Sequence, residues 1–171
     1  MNPLKVIVTG DFSAGKTQFI KTLTQNSFST EKSITLEGEL DIKKTTTVAL
    51  DYGKITLDGK TVHLFGTPGQ ERFKFMWEIL DKNKSAFILL VDSTDLNNIN
   101  NGKSFIDFFY SEDIPFIIGC NKQDKENALP VGEIKNILEI EADYLPLVAK
   151  DRESSLEVLK HLINKSQHIL V

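Results

Sequence analysis

The sequence predicts a doubly wound α/β domain with a mostly parallel, six-stranded sheet, one antiparallel strand and helices on both faces. Three short apolar runs rich in β-branched and aromatic residues, 4–8, 86–91 and 114–120, are typical of parallel strands covered on both sides. Amphipathic stretches alternate with these runs, and Asp58-Gly59 between two β-rich runs indicates a type I′ hairpin. In such sheets, ligands bind at the carboxyl ends of the strands.

Candidate helices lie between and after the strands, at 16–26, 75–83, 99–110, 131–140 and 154–166. The last of them opens on Ser154-Ser155-Leu156-Glu157, a capping-box pattern that predicts the helix start. We find no repeat and no linker composition, so the elements are expected to form a single domain over residues 1–171.

Composition excludes several classes of function. The chain has 171 residues, of which 26% are charged and 40% hydrophobic, with a net charge of -4. This size suits one globular domain, and no basic stripe is present to bind a nucleic acid. A single Cys, Cys120, cannot form a disulfide framework. Because no signal-peptide, membrane-span or lipidation pattern is found, we expect a cytoplasmic protein without a membrane anchor.

A glycine-rich loop follows the first predicted strand. The stretch "GDFSAGKT", Gly10 to Thr17, fits G-x-x-x-x-G-K-[ST] and opens a helix. Glycines let the backbone wrap a phosphate, and the N–H groups with the helix N-terminus supply positive potential. Lys16 would bind the β- and γ-phosphates, and the Thr17 hydroxyl would bind magnesium. The predicted contacts are Asp11, Phe12, Ser13, Ala14, Gly15, Lys16, Thr17 and Gln18.

A second polar motif, "NKQD" (121–124), stands at the end of the 114–120 strand. The Asp124 carboxylate can accept hydrogen bonds from N1–H and the exocyclic amine of guanine, whereas adenine has no such donor pair. A site of this kind can discriminate by about 10⁴–10⁵. Asn121 is expected to tie this loop to the phosphate loop and the base, and the Lys122 stem to lie on the base plane.

The motifs "GDFSAGKT", "TTTVALDYG", "GTPGQERF", "NKQD" and "VAK", in this order, resemble those of the Ras-like small GTPases. The resemblance is closest to their bacterial and archaeal branch, which includes the gliding-motility polarity GTPases, and it spans essentially the whole chain. It implies the small G domain of the P-loop NTPases, binding of GTP and GDP with Mg²⁺, and slow GTP hydrolysis.

The resemblance also assigns roles in hydrolysis. Gly69 matches the switch glycine whose N–H touches the γ-phosphate, and Gln70 matches the glutamine that orients the attacking water. Phosphoryl transfer needs mainly an aligned water and stabilised charge, so Gln70 and Lys16 are the candidate catalytic residues. Thr47 is the candidate first-switch hydroxyl and a second magnesium ligand beside Thr17, because Asp51-Tyr52 follows it at the family's spacing.

Two further base contacts follow from the resemblance. Phe28 resembles the aromatic residue that packs edgewise on guanine, although it could equally be a core residue at a helix end. The loop Val148-Ala149-Lys150, after a short strand, resembles the S-A-K motif with Val148 in place of Ser. Its useful group is the Ala149 N–H, which would donate to the guanine oxygen.

Two positions depart from the family pattern. Gly66 stands where the family usually has the Asp that holds magnesium through water. In one interpretation the ion is held by Thr17, Thr47, phosphate oxygens and extra waters, and we favour this because Gly69 and Gln70 remain. In the other, the protein binds the nucleotide but hydrolyses it poorly. Phe12 puts a bulky ring in the phosphate loop, where it could slow hydrolysis, exclude an arginine finger, or pack harmlessly against the switch.

The expected switch segments are 29–53 and 66–77, which would bind effectors and GTPase-activating proteins, with a roadblock-type activator as one candidate. Residues 29–46 form a long connection. It would either become ordered when GTP or a partner binds, or be a solvated insertion.

The alternative function is a nucleotide-bound scaffold with negligible hydrolysis. A more distant alternative, an ATP-using kinase or ATPase, is opposed by "NKQD". Residues 97–102 are interpreted as a polar loop and helix entry without assigned chemistry.

Overall fold

The computed structural model describes residues 3–24, 28–35, 45–69 and 74–169 of the protein. Within these ranges the chain forms seven strands and five helices. The strands are β1 (Leu4–Thr9), β2 (Phe28–Thr35), β3 (Thr45–Leu57), β4 (Lys60–Gly66), β5 (Ala86–Asp92), β6 (Phe116–Asn121) and β7 (Asp143–Pro146). The helices are α1 (Lys16–Leu23), α2 (Lys74–Asp81), α3 (Leu96–Phe109), α4 (Val131–Leu138) and α5 (Arg152–Ile169).

The described strands form one sheet in the order β2-β3-β4-β1-β5-β6-β7. In this part of the chain only β3 runs against the others, because it pairs antiparallel with both β2 and β4 while the remaining pairs are parallel. The predicted fold class is therefore confirmed. The six predicted strands are β1 and β3 to β7, and β2 is added at the edge.

The edge strand β2 corrects the prediction of a long connection over 29–46. β4 pairs with residues 51–57 of β3. β2 pairs with the opposite edge of β3, from Phe28 opposite Tyr52 to Thr35 opposite Thr45. The backbone N–H and C=O groups of β3 that point away from β4 thereby gain partners, which is a physical reason for residues 28–35 to join the sheet. Residues 36–44 lie outside the described part.

The hairpin between β3 and β4 turns at the predicted residues. Asp58 and Gly59 have φ angles of 49° and 79°. A type I′ turn requires positive φ at both central positions, and Asp-Gly tolerates this at low cost. The turn fixes the register of the hairpin, which places Asp51 opposite Gly66 at its far end.

Helices cover both faces of the sheet. Alternate residues of β1 point to opposite sides, so Val6 and Val8 pack with α1 and α5 while Ile7 packs with α2, α3 and α4. In β5, Ile88 and Leu90 likewise face the first layer, and Phe87, Leu89 and Val91 face the second. Burial on both sides explains why these strands are continuous apolar runs in the sequence.

The start of α5 differs from the prediction. The helix begins at Arg152 instead of 154, so the two serines lie in its first turn. The Ser154 hydroxyl accepts a hydrogen bond from the Val148 N–H at 2.9 Å, and the Ser155 hydroxyl donates to the Ala149 carbonyl at 3.0 Å. These hydroxyls therefore bind the preceding loop, and the predicted capping box is wrong.

Candidate nucleotide-binding site

The phosphate loop connects β1 to α1 and requires unusual backbone conformations. Gly10, Ser13 and Gly15 have φ angles of 146°, 69° and 103°. A Cβ at Gly10 would meet the Leu90 carbonyl oxygen, and one at Gly15 would meet the side-chain amide of Asn121. Both glycines are therefore needed for conformation and for space.

Lys16 is buried at the start of α1, with its side chain folded over the loop. Its Nζ donates to the carbonyl oxygens of Gly10 and Asp11, the latter at 3.0 Å. Burial lowers the pKa of Lys16 to about 8, while the carboxylates of Asp11 and Asp51 act in the opposite direction. The ammonium group thus lies in a poorly hydrated position where an anionic ligand would stabilise its charged form.

Two asparagines of α3 hold the phosphate loop from the side. The buried Asn98 donates from Nδ2 to the Phe12 carbonyl at 2.9 Å and accepts from the Asp92 N–H at 2.9 Å. Asn101 donates from Nδ2 to the Asp11 carboxylate at 2.7 Å. The sequence interpretation missed both residues, because it assigned no chemistry to residues 97–102 and began the helix at 99. Asp95, which caps α3 by accepting from the N–H groups of residues 97 and 98, is the signal that would have placed the start correctly.

Phe12 projects from the loop, and its side chain is 70% exposed. Among the described residues, none covers this ring as a core contact would. The interpretation that Phe12 packs against the second switch, residues 66–77, remains a prediction, because 70–73 of this segment lie outside the described part of the chain.

Gly69 lies directly beside the phosphate loop. A Cβ added there would be 2.6 Å from the Phe12 nitrogen and 3.1 Å from Lys16 Nζ, so any side chain would collide with the loop. Thr67, two residues earlier, is anchored to β1 by its N–H to the Val8 carbonyl at 2.9 Å and by its hydroxyl to that of Thr9 at 2.8 Å. The predicted residue Gln70 lies outside the described residues.

Two adjoining cavities follow the loop. The larger, of about 520 Å³, is lined by Phe12, Ser13, Ala14, Gly15, Lys16, Thr17, Gln18, Lys21, Asp51, Thr67, Pro68, Gly69 and Lys122. The smaller, of about 220 Å³, is lined by Gly15, Gln18, Asn121, Lys122, Asp124, Lys125, Val148, Ala149 and Lys150. Gly15, Gln18 and Lys122 line both, so the predicted phosphate and base residues surround one continuous region.

Asn121, which lines the smaller cavity, joins three segments. Its Nδ2 donates to the Ala14 carbonyl at 3.0 Å, and its Oδ1 accepts from the N–H groups of Lys122 and Ala149 at 2.8 and 2.9 Å. The tie to the phosphate loop is as predicted. The Ala149 N–H already has an acceptor, so a contact with a guanine oxygen would require the two acceptors to share it or exchange.

Three charged residues of the smaller cavity, Lys122, Asp124 and Lys150, form ion pairs. Lys122 Nζ donates to the carboxylate of Asp92 at the end of β5, at 2.7 Å. Lys122 lines both cavities, so its aliphatic stem lies where they adjoin. Burial raises the pKa of Asp92, but hydrogen bonds from Lys122 and Thr94 outweigh this effect and leave the pKa lowered. Lys150 pairs with Asp124 at 3.0 Å and lowers the pKa of that carboxyl. Asp124 is therefore an ionised acceptor at neutral pH.

The predicted magnesium ligand Thr17 has a partner that the sequence interpretation did not assign. Its hydroxyl donates to the carboxylate of Asp51 on β3. Among the described residues there is no group of three or more His, Cys, Asp or Glu arranged to hold a metal. A hydroxyl beside one carboxylate suits Mg²⁺, which prefers oxygen ligands and takes the rest from phosphates and water.

Two predicted contacts involve residues whose side chains are not described. Thr47 lies in β3 opposite Ser33, four residues before Asp51, and Phe28 begins β2 opposite Tyr52. Magnesium ligation by Thr47 and base stacking by Phe28 remain predictions.

The family profile described as "Ras of Complex, Roc, domain of DAPkinase" matches residues 5–124, which include the phosphate loop and "NKQD". The chain belongs to the Ras-like small GTPase family. An uncharacterized protein of Methanocaldococcus jannaschii is 34% identical to this small GTPase over 121 residues, covering 71% of each chain. The narrower resemblance to gliding-motility polarity GTPases remains a prediction.

Two eukaryotic relatives extend the match to this small GTPase. The Ypt/Rab-type GTPase YPT7 of Saccharomyces cerevisiae is 26% identical over 166 residues, covering 92% of this chain and 76% of the relative. ADP-ribosylation factor-like protein 4C of Homo sapiens is 27% identical over 148 residues, covering 79% and 68%. Within the described residues, no helix combines the length and apolarity needed to cross a bilayer.

Proposed function

We propose that this protein is a guanine-nucleotide switch that binds GTP and GDP with Mg²⁺ and hydrolyses GTP slowly. The observation that carries the proposal is the position of Asn121. Its side chain joins Ala14 of the phosphate loop, which lines the larger cavity, to Ala149 of the base loop, which lines the smaller. A site joined in this way can recognise a phosphate chain and a base as one ligand.

The residues of the larger cavity would bind the phosphates. The N–H groups of the loop and the N-terminus of α1 offer positive potential, and Lys16 supplies a mobile charge. Magnesium, when bound, would neutralise charge on the phosphate oxygens, and Thr17 with Asp51 offers it oxygen ligands. Gly69 lies beside the loop and Lys16, and by resemblance its N–H would contact the γ-phosphate.

The residues of the smaller cavity would select guanine. Asp124 is held ionised by Lys150 and would accept two hydrogen bonds from guanine. Adenine would leave the carboxylate without these donors, which carries a large penalty. This argument opposes the ATP-using alternatives.

Hydrolysis would depend on Gln70, which by resemblance orients the attacking water. Arg72 follows Gln70 in the sequence, and we interpret it as a surface ion-pair residue. We therefore propose a low intrinsic rate, which an arginine finger supplied by a partner protein would raise by about 10³–10⁵. The segments 29–53 and 66–77 would bind effectors and GTPase-activating proteins, including the roadblock type.

The exposed ring of Phe12 beside Gly69 favours a second candidate function, a nucleotide-bound scaffold with negligible GTP hydrolysis.

The test is to identify the nucleotide that co-purifies and to titrate GDP, GTP, ADP and ATP by calorimetry, followed by single-turnover GTP hydrolysis with and without Mg²⁺. The switch requires guanine-selective binding and slow, magnesium-dependent release of phosphate. Binding without detectable turnover would support the scaffold, and a folded protein that ignores GDP and GTP would exclude both.

A further inference from the structure

The position of Gly66 leaves this chain without the acidic residue that the family pattern places before Thr67, yet a carboxylate lies at the same point of the sheet. Asp51 is the register partner of Gly66 across the β3–β4 hairpin. A Cβ built at Gly66 would be 3.1 Å from the Asp51 Cβ, 3.1 Å from the Ile20 Cδ1 and 3.6 Å from Asp51 Oδ2. The two positions therefore share one small space.

The space beside Gly66 is tight. A side chain at Gly66 would press on the Cβ of Asp51 and on the terminal methyl group of Ile20, so one of these neighbours would have to shift by a few tenths of an ångström. A second carboxylate here would also repel that of Asp51, since like charges this close cannot both ionise easily. Glycine at position 66 therefore leaves the Asp51 side chain undisturbed.

The Asp51 carboxylate is directed at the phosphate loop. It accepts the hydrogen bond of the Thr17 hydroxyl and lines the larger cavity together with Lys16 and Thr17. The hydroxyl and the carboxylate come from different elements, α1 and β3, and meet at the carboxyl end of the neighbouring strand β4. That edge of the sheet is where an α/β domain binds its ligand.

We propose that Asp51 supplies, from β3, the magnesium-directed carboxylate that the family pattern would place at position 66. The inference rests on the proposed guanine-nucleotide function. Asp51 acts as a positioning residue for the ion, either as a ligand or through an ion-bound water, and it orients the Thr17 hydroxyl. At this point of the sheet, the carboxylate of this chain therefore comes from β3 instead of β4.

The test measures release of a fluorescent GDP analogue as a function of free Mg²⁺ in wild-type protein and in Asp51→Asn. The amide retains the shape and an acceptor for Thr17, so a merely structural role would leave the magnesium dependence unchanged. Loss of a residue that supports a metal costs about 10–100-fold in affinity. We expect the Mg²⁺ concentration for half-maximal retention of GDP to rise at least tenfold, with release in excess chelator changed little.

Asp58→Asn is the matched control, because it makes the same chemical change in the turn of the same hairpin, where Asn is equally suited to a type I′ conformation. It should show wild-type magnesium dependence.

A double variant that exchanges the two residues, Gly66→Asp with Asp51→Gly, should restore part of the magnesium dependence that is lost in Asp51→Asn. If the exchange variant fails to fold, the magnesium titration of Asp51→Asn still decides the matter.

The outcomes separate this inference from the proposed function. A wild-type protein that binds no GDP contradicts the proposed function itself. A wild-type protein that holds GDP in a magnesium-dependent manner, with Asp51→Asn behaving identically, overturns the role of Asp51 alone. If Asp51→Asn weakened GDP binding equally with and without Mg²⁺, the role of Asp51 would also be overturned, because the effect would not act through the ion.

Discussion

The indole Nε1 of Trp77 donates a hydrogen bond to the carbonyl oxygen of Pro68 at 2.8 Å. Trp77 is 2% exposed in α2, where it packs against Phe105 and Phe109 of α3. The bond joins the buried aromatic cluster of α2 and α3 to the residue just before Gly69. The beginning of the proposed second switch segment is thus tied to its buried end at Trp77.

This contact predicts that tryptophan fluorescence reports the nucleotide state. Trp77 is the only tryptophan of the sequence, so the signal has one source. If the 66–77 segment rearranges with the γ-phosphate, the polar environment of the indole changes. Emission should differ between protein loaded with GDP and protein loaded with a non-hydrolysable GTP analogue. Identical spectra in the two states, with nucleotide occupancy verified, would contradict a rearrangement at Pro68.

Asn98 is predicted to be a support of the phosphate loop. Asn98→Ala would leave the Asp92 N–H and the Phe12 carbonyl without their partner, at a cost of about 1–3 kcal/mol in the free energy of unfolding. GDP binding should weaken as well, because Phe12 belongs to the loop. Chemical denaturation and calorimetry measure the two effects.

Asn100→Ala is the matched control, since Asn100 is exposed on the same helix. Alanine favours a helix more than asparagine does, so this variant should be as stable as wild type or slightly more so. Equal behaviour of the two variants would show that the hydrogen bonds of Asn98 do not support the loop.

Local signals made much of the fold and site predictable. Gly10, Gly15 and the Asp58-Gly59 turn adopt the positive φ angles that their motifs require, and these depend only on nearby residues. Continuous apolar runs predicted the central strands because both faces of the sheet are covered. These features need no knowledge of distant contacts.

The missed features depend on contacts between distant segments. Asp51 meets Gly66 only through the register of the hairpin, and it meets Thr17 across 34 positions of sequence. Asn98 contacts Phe12 across 86 positions. β2 pairs with residues 45–52 of β3, which no local pattern in residues 28–35 indicates. Pairing partners of this kind are not encoded in the short periodicities used for prediction.

The lowered pKa of Lys16 predicts a pH-dependent affinity for GDP. In the free protein, burial lowers this pKa to about 8, so the ammonium loses its proton as the pH rises through that value. A bound phosphate would favour the charged form and raise the pKa, so binding above pH 8 takes up a proton. The affinity should be constant below about pH 8 and fall by up to tenfold per unit above it.

Calorimetry between pH 7 and 9 tests this, with Lys16→Arg as the control because arginine stays charged throughout. The ionisations of GDP itself are the same in both proteins. The arginine variant should bind more weakly but lack the break near pH 8. A flat profile for the wild-type protein, or the same break in both, would contradict the role assigned to Lys16.

Asp124 is predicted to determine the choice of base. Asp124→Asn replaces an ionised acceptor by an amide, so the N1–H and exocyclic amine of guanine lose a charged partner. Hydrogen bonds to charged groups contribute about 1.5–3 kcal/mol each, so the loss of two should weaken GDP binding about a hundredfold or more. Xanthine carries an oxygen in place of the exocyclic amine and can accept from the new amide, so the variant should prefer the xanthine nucleotide.

The Asp143→Asn variant separates this effect from the loss of a surface ion pair. Asp143 is also paired, with Lys165 and His161, but lies at the start of β7, outside both cavities. It should keep the wild-type preference for guanine over xanthine in competition binding. If Asp124→Asn also keeps that preference, the smaller cavity does not read the base, because the lost carboxylate is the group that distinguishes the two purines there.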